Sequence, residues 1–238
     1  MPRRDRPDAP RGRRGKPSAR PTPDQAARPR GGRPRPHGAA DEADAASAPR
    51  IIGGRLRGRR LAFQPDPRTR PMKDRVRETL FDLLGTSVVG SMAIDCFAGS
   101  GALGFEAVSR GAARAILAER HFPTAERLRR SALDLGVADR VEVRAGDVLV
   151  WVRQPPPLPA EAPWTVFISP PWEMFRSRAD DLIALIALLQ ANAPPGSCLA
   201  VEADTAYPSA SLPQPAGEGR WTTRTLAPAV LHLWRDRA

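Results

Sequence analysis

The sequence predicts an α/β fold: a doubly wound, mostly parallel seven-stranded sheet with a C-terminal antiparallel hairpin, preceded by a disordered basic tail. Three observations lead there. After residue 50, short apolar runs alternate with stretches of helical period, as expected of βα units that feed one parallel sheet. The last two apolar runs, 221–226 and 230–234, are separated only by Ala227-Pro228-Ala229, which suits a hairpin. Residues 1–49 contain 10 Pro, 5 Gly and almost no large apolar residue, so they cannot bury enough surface to offset their chain entropy. The expected division is a tail at 1–49 and one domain at 50–238, long enough for a single buried core, with a basic extension at 50–77.

The elements follow in order. Pro71 suits a helix start, and Val76, Leu80, Leu83 and Leu84 would share one face. A strand is expected at 92–96, ending in the Gly99-Ser100-Gly101 turn, with a helix at 102–110. A second strand at 115–119, a helix at 123–135 and a third strand at 141–144 continue the alternation. The segment 155–163 is a Pro-rich loop, and a fourth strand at 164–168 stops at Ser169-Pro170-Pro171-Trp172. A helix at 178–191 ends before Pro194-Pro195-Gly196, and a fifth strand runs 198–203 into the closing hairpin.

Charge narrows the partner. Lys and Arg number 37 against 26 Asp and Glu, a net +11, yet residues 78–238 alone are net −3. A nearly neutral body therefore carries a basic front end, which points to a polyanion. Arg50, Arg55, Arg57, Arg59, Arg60, Arg70 and Lys73 are the candidate phosphate contacts. Arg75 and Arg77 could instead line a ligand pocket. A solvated charged face is the plain alternative, and the acidic remainder of the chain argues against it. The longest apolar run, residues 182–189, is too short to cross a membrane. The N-terminus lacks the apolar core of a secretory signal, so a cytoplasmic setting is expected. Two distant cysteines and three scattered histidines give neither a disulfide framework nor a metal site.

The segment Asp95-Cys96-Phe97-Ala98-Gly99-Ser100-Gly101 follows a strand and opens a helix, as nucleotide-cradling turns do. Glycine spacing alone suits a dinucleotide enzyme equally well. Glu119, ending the next strand, can accept from ribose hydroxyls in either case. Asp95 tilts the choice. A carboxylate beside the turn would repel a pyrophosphate but could hold the ammonium of S-adenosylmethionine. Asp147, just after the third strand, is placed to accept from an adenine amino group. Taken singly, Glu119 and Asp147 read equally well as caps or solvated charges; together, in this order, they read as a cofactor site.

Ser169, Pro170, Pro171 and Trp172 follow the fourth strand, where ligands bind in open α/β sheets. Two prolines fix the backbone and remove donors, leaving carbonyls for the crevice. The aromatic can stack on an extruded base. The element resembles the (Asp/Asn)-Pro-Pro-aromatic motif of methyltransferases acting on exocyclic base amines. Acceptors there draw the two N–H groups away from the ring plane and aim the nitrogen lone pair at a methyl group. Here Ser169 stands where that motif has Asp or Asn, and a hydroxyl is the weaker acceptor. Glu173 is close in sequence and could supply a carboxylate.

Three blocks together resemble the bacterial 16S ribosomal RNA guanine-N2-methyltransferase family. They are Arg50-Ile-Ile-Gly-Gly-Arg-Leu-Arg-Gly-Arg-Arg-Leu61, Arg70-Pro-Met-Lys-Asp-Arg-Val-Arg-Glu-Thr-Leu-Phe81 and Asp95-Cys-Phe-Ala-Gly-Ser-Gly-Ala-Leu-Gly104. The likeness runs over residues 50–235. It implies a Rossmann-like class I methyltransferase that uses S-adenosylmethionine and small-subunit rRNA, assembled or assembling. Under it the turn, Asp95 and Phe97 to Gly101, holds the methionine part, Glu119 the ribose and Asp147 the adenine; residues 169–172 form the amine pocket. A monomer without metal is expected. Besides Ser169, Met72 and His121 depart from the family, which usually has Thr and Asp at those places.

Other readings make distinct demands. Methylation of adenine N6 in DNA uses the same motif, but nothing here looks like a DNA target-recognition domain. An assembly factor that keeps cofactor and RNA binding would follow if Ser169 abolished catalysis. An NAD-dependent oxidoreductase would leave Trp172 without a role. A hydrolase built on Ser100 lacks a strand-end His and acid.

Overall fold

A computed structural model describes residues 48–64, 72–214 and 219–236, all within one unit spanning 37–238. The expectations for the tail, for Arg70, and for the start of the first helix at Pro71 fall outside the described residues.

The described elements are α1 (Asp74–Leu84), β1 (Met92–Asp95), α2 (Ala102–Ser109), β2 (Arg114–Glu119), α3 (Phe122–Asp134), β3 (Val141–Ala145), β4 (Trp164–Ile168), the single turn α4 (Met174–Ser177), α5 (Ala179–Asn192), β5 (Cys198–Asp204), β6 (Arg220–Leu226) and β7 (Ala229–Arg235). The sheet order is β3-β2-β1-β4-β5-β7-β6. The first five strands are parallel, β7 runs antiparallel to β5, and β6 closes the hairpin. The order reverses between β1 and β4, so the ends of those strands flank the crevice where such sheets bind ligands.

The chain pattern explains the layers. Every residue of β1 and β4 is buried, as continuous apolar runs in a two-faced sheet must be. Edge strand β6, with Thr222, Thr223, Arg224 and Thr225 exposed, is polar enough to discourage pairing with another chain. One core layer packs α1, α2 and α3 against the sheet; the other packs α5 and the helical turn at Val148–Val152. Phe81 of α1 meets Phe167 of β4 with ring centroids 5.6 Å apart, anchoring the first helix at the sheet centre. Leu83 departs from expectation: it is 38% exposed, while Arg77 and Phe81 are buried. The packed stripe runs through Val76, Arg77, Leu80, Phe81 and Leu84, and Leu83 lies past its edge. No described helix is long and apolar enough to cross a membrane.

The basic front segment is fastened to α2 rather than loose. Arg50 bridges Arg60 in antiparallel fashion, making residues 50–60 a closed loop. Glu106, with no exposed surface, accepts from the Ile52 and Gly53 N–H groups at 2.7 Å each and from Arg110 Nε at 2.8 Å. Ser109 donates its hydroxyl to Gly53 O at 2.6 Å and accepts from Leu56 N. Gly54 is required here: its φ is +75°, and a Cβ would stand 2.0 Å from the Ser109 carbonyl oxygen.

Candidate functional site

Parallel strands bring their carboxyl ends to one sheet edge, so Asp95, Glu119, Asp147 and Ser169 gather there although 74 residues separate the first from the last. The glycine turn is shaped by backbone geometry. Gly99 and Gly101 have φ of 50° and 76°, and a Cβ on Gly101 would come within 2.6 Å of Leu128 and Phe105. A Cβ on Gly104 would meet Leu117 at 2.7 Å, so the third glycine lets α2 lie close on β2.

Glu119 does more than end a strand. Its Oε2 accepts from Gly99 N at 2.9 Å and its Oε1 from His121 N at 2.8 Å. One carboxylate thus ties the glycine turn to the start of α3, and each oxygen keeps a second lone pair. His121 adds to this end of α3, its Nδ1 sharing a hydrogen bond with Thr124 Oγ at 2.9 Å. Residues 62–64 of the front segment lie over the turn, and with Gly99, Ser100, Thr124 and Arg127 they line a small cleft. Arg127 bridges Gln64 and Thr124 there.

Asp95 is deeper than the sequence suggests. It is 1% exposed, its Oδ2 accepts from Gly104 N at 3.1 Å, and its Oδ1 is buried without a hydrogen-bond partner. Burial lifts its carboxyl from 3.8 to about 7, opposed by the Gly104 N–H and assisted by the Glu119 charge. A folded value above the unfolded one means that the neutral acid favours the fold. That stabilisation is complete below the unfolded value of 3.8 and is lost as pH rises through about 7. Denaturation midpoints should therefore fall as pH rises from about 4 to about 7, level off above that, and fall less over the same range in Asp95→Asn. An equal fall in both proteins would remove Asp95 as the cause.

Asp147 caps the helical turn at Val148–Val152, its Oδ1 accepting from Leu149 N at 3.0 Å. The plain capping role is thus present, and Oδ2 is the oxygen left for a ligand. Phe97 is half-buried against the second core layer, and Ala98 is buried with its N–H on Ala118 O.

In the Ser-Pro-Pro-Trp element, Pro170 is buried, Pro171 exposed, and Trp172 half-buried against both core layers. The two prolines do not both offer carbonyls to the crevice. Met174 N donates to Pro171 O at 2.8 Å and Phe175 N to Trp172 O at 3.1 Å, because the chain turns at once into α4. Among the described residues only the Pro170 carbonyl of the pair receives no donor. Glu173 is exposed on that turn. Another acid lies beside the element: the Ser169 hydroxyl hydrogen-bonds Glu202 Oε2, and Glu202, on β5, is 8% exposed. Sequence reasoning missed it because the two residues lie 33 positions apart. The available signal was a carboxylate inside the apolar run of the strand next to β4.

The basic residues divide. Arg55, Arg57, Arg59 and Arg60 are exposed on the front loop, and Lys73 is half-buried just before α1. Arg50 pairs with Asp74 at 3.0 Å while remaining mostly exposed, and Arg59 reaches Asp134 O at 2.6 Å. Arg77 is neither a surface contact nor a crevice residue. It is 1% exposed and donates to Arg50 O and Asp74. Met72 packs on the core beside it.

Known proteins resemble this arrangement. A family model described as Conserved hypothetical protein 95 matches residues 49–223. Ribosomal RNA small subunit methyltransferase D of Buchnera aphidicola is 38% identical over 122 residues, 51% of this chain and 62% of the relative. The protein of that name from Escherichia coli (strain K12) is 59% identical over 70 residues, 29% of this chain and 35% of the relative. The chain therefore spans less than two thirds of either relative in these matches. The solved structure of "Putative methyltransferase yhhF from Escherichia coli" superposes with TM-score 0.65 at 32% identity, covering 81% of this chain and 99% of that one.

Proposed function

The chain belongs to the family described as Conserved hypothetical protein 95, and from that membership we propose that it transfers a methyl group from S-adenosylmethionine to the exocyclic N2 of a guanine in small-subunit rRNA. The observation that carries this reading is one sheet edge holding a glycine turn braced by Glu119 beside the Ser169-Pro170-Pro171-Trp172 element. Relatives named as small-subunit rRNA methyltransferases support the substrate class.

The residues present fit the cofactor. Asp95 offers an orphaned, buried oxygen suited to a cationic donor, and a carboxyl held near 7 ionises readily when one arrives. Glu119 has lone pairs for two ribose hydroxyls, and Asp147 Oδ2 for an adenine amine. When bound, S-adenosylmethionine supplies an electrophilic methyl group on a sulfonium. Ser169 Oγ and the Pro170 carbonyl accept from the two N–H groups of the target amine, while Trp172 stacks on the base. Arg50, Arg55, Arg57, Arg59, Arg60 and Lys73, with Arg70 beyond the described residues, grip phosphates around the extruded nucleotide. Residues 1–49, with their excess of Arg, add nonspecific phosphate attraction.

Incubation with labelled S-adenosylmethionine tests the class of acceptor. Label should enter RNA of small subunits from cells lacking the modification, and should not enter duplex DNA. Label in DNA would favour adenine methylation, and none anywhere, despite cofactor binding, a noncatalytic assembly role.

A further inference from the structure

Ser169 poses a chemical problem. A guanine N2 donates its lone pair into the ring, and drawing it out calls for an acceptor stronger than an isolated hydroxyl. The structure offers one beside it. Ile168 of β4 pairs with Val201 of β5, so the parallel ladder sets Ser169 next to Glu202 at the same sheet edge. The Ser169 hydroxyl hydrogen-bonds Glu202 Oε2. Glu202 lies in a strand whose residues Cys198 to Ala203 are all buried, an expensive place for a carboxylate that only decorates a surface.

Resting on the methyl-transfer reading above, we propose that Glu202 is the acid of the amine pocket and acts through Ser169. The carboxylate that the motif lacks at position 169 is delivered from the neighbouring strand. Ser169 commits its single proton to Glu202, which leaves its oxygen lone pairs to accept from N2–H. As the nitrogen attacks, the N2–CH3 bond forms and the CH3–S bond breaks, its electron pair remaining on sulfur. The proton that the amine must lose passes to Ser169 Oγ while the hydroxyl proton passes to Glu202. The carboxylate becomes a carboxylic acid and returns that proton to water after the product leaves. Glu202 never touches the base, so it is a positioning and proton-accepting residue, and Ser169 is its contact with substrate.

A merely structural hydrogen bond between two strand ends makes a different prediction. Glu202→Gln keeps an acceptor oxygen of nearly the same shape, so a structural role would leave turnover intact. The proposal requires kcat to fall by about 10²–10³ with KM for S-adenosylmethionine changed by less than about threefold. Ser169→Ala should fall as far, and the double variant Ser169→Ala/Glu202→Gln no further, because the two act as one unit. Ser169→Asp made in the Glu202→Gln background should recover about tenfold or more, since it restores a carboxylate directly against the amine. Single-turnover transfer to small subunits, with thermal denaturation of each variant, reads these outcomes. An active parent with Glu202→Gln equally fast overturns the proposal alone, as does absence of recovery in a folded, cofactor-binding Ser169→Asp/Glu202→Gln protein. An inactive parent overturns the methyl-transfer reading, and this proposal falls with it.

Discussion

Replacing Glu106 by Gln should destabilise the protein by about 3–5 kcal/mol, the range for removing one partner of a buried ion pair. Glu106 is fully buried, with Arg77 Nε at 3.8 Å and Arg110 Nε at 2.8 Å. It also accepts the Ile52 and Gly53 N–H groups. An amide has one acceptor oxygen and two N–H donors, so at least one of those backbone donors would face another donor. Arg77, itself 1% exposed, would keep its charge without that neighbour. The loss should show in denaturant midpoints, and the front loop should become open to proteolysis before the sheet unfolds. RNA affinity should fall with it, because the same loop carries Arg55, Arg57, Arg59 and Arg60. A change below about 1 kcal/mol would mean that the loop is held elsewhere.

Glu119→Ala should weaken S-adenosylmethionine binding on the order of 10²-fold, equivalent to about 3 kcal/mol. Two effects add. The ribose loses its acceptor, and Gly99 N and His121 N lose theirs, so the turn that approaches the cofactor is no longer braced against β2. The Arg-rich loop is fastened to α2 and not to Glu119, so RNA binding should stay within about twofold. Calorimetry for cofactor and filter binding for RNA separate the two. An unchanged cofactor affinity would remove Glu119 from the site.

Much of the fold was legible because parallel strands buried on both faces must be short apolar runs. Trp164–Ile168 has the predicted bounds, and the hairpin falls where Ala227-Pro228-Ala229 placed it. The glycine turn was legible for a similar reason: close packing admits no Cβ at Gly101, against Leu128 and Phe105 of two helices, or at Gly104, against Leu117 of β2. The destinations of charged side chains were less so. Arg77 reads in sequence as one more cation of a basic block, yet it is buried beside Glu106. Glu106 carries no signal in local sequence that it holds a backbone loop more than 50 residues away. The Pro171 carbonyl reads as free, but the next turn engages it. Glu202 could be tied to Ser169 only once the register of β4 and β5 was known. In each case the partner is set by packing between distant segments, which local periodicity does not encode.

Under the proposed function this sheet edge presents a guanine amine to a methyl donor. Nucleoside analysis of small-subunit rRNA after transfer of labelled methyl groups tests it most directly. The label is expected in N2-methylguanosine, at one guanine per particle. Label in any other nucleoside would contradict the assignment of a guanine to the pocket of Ser169, Pro170 and Trp172.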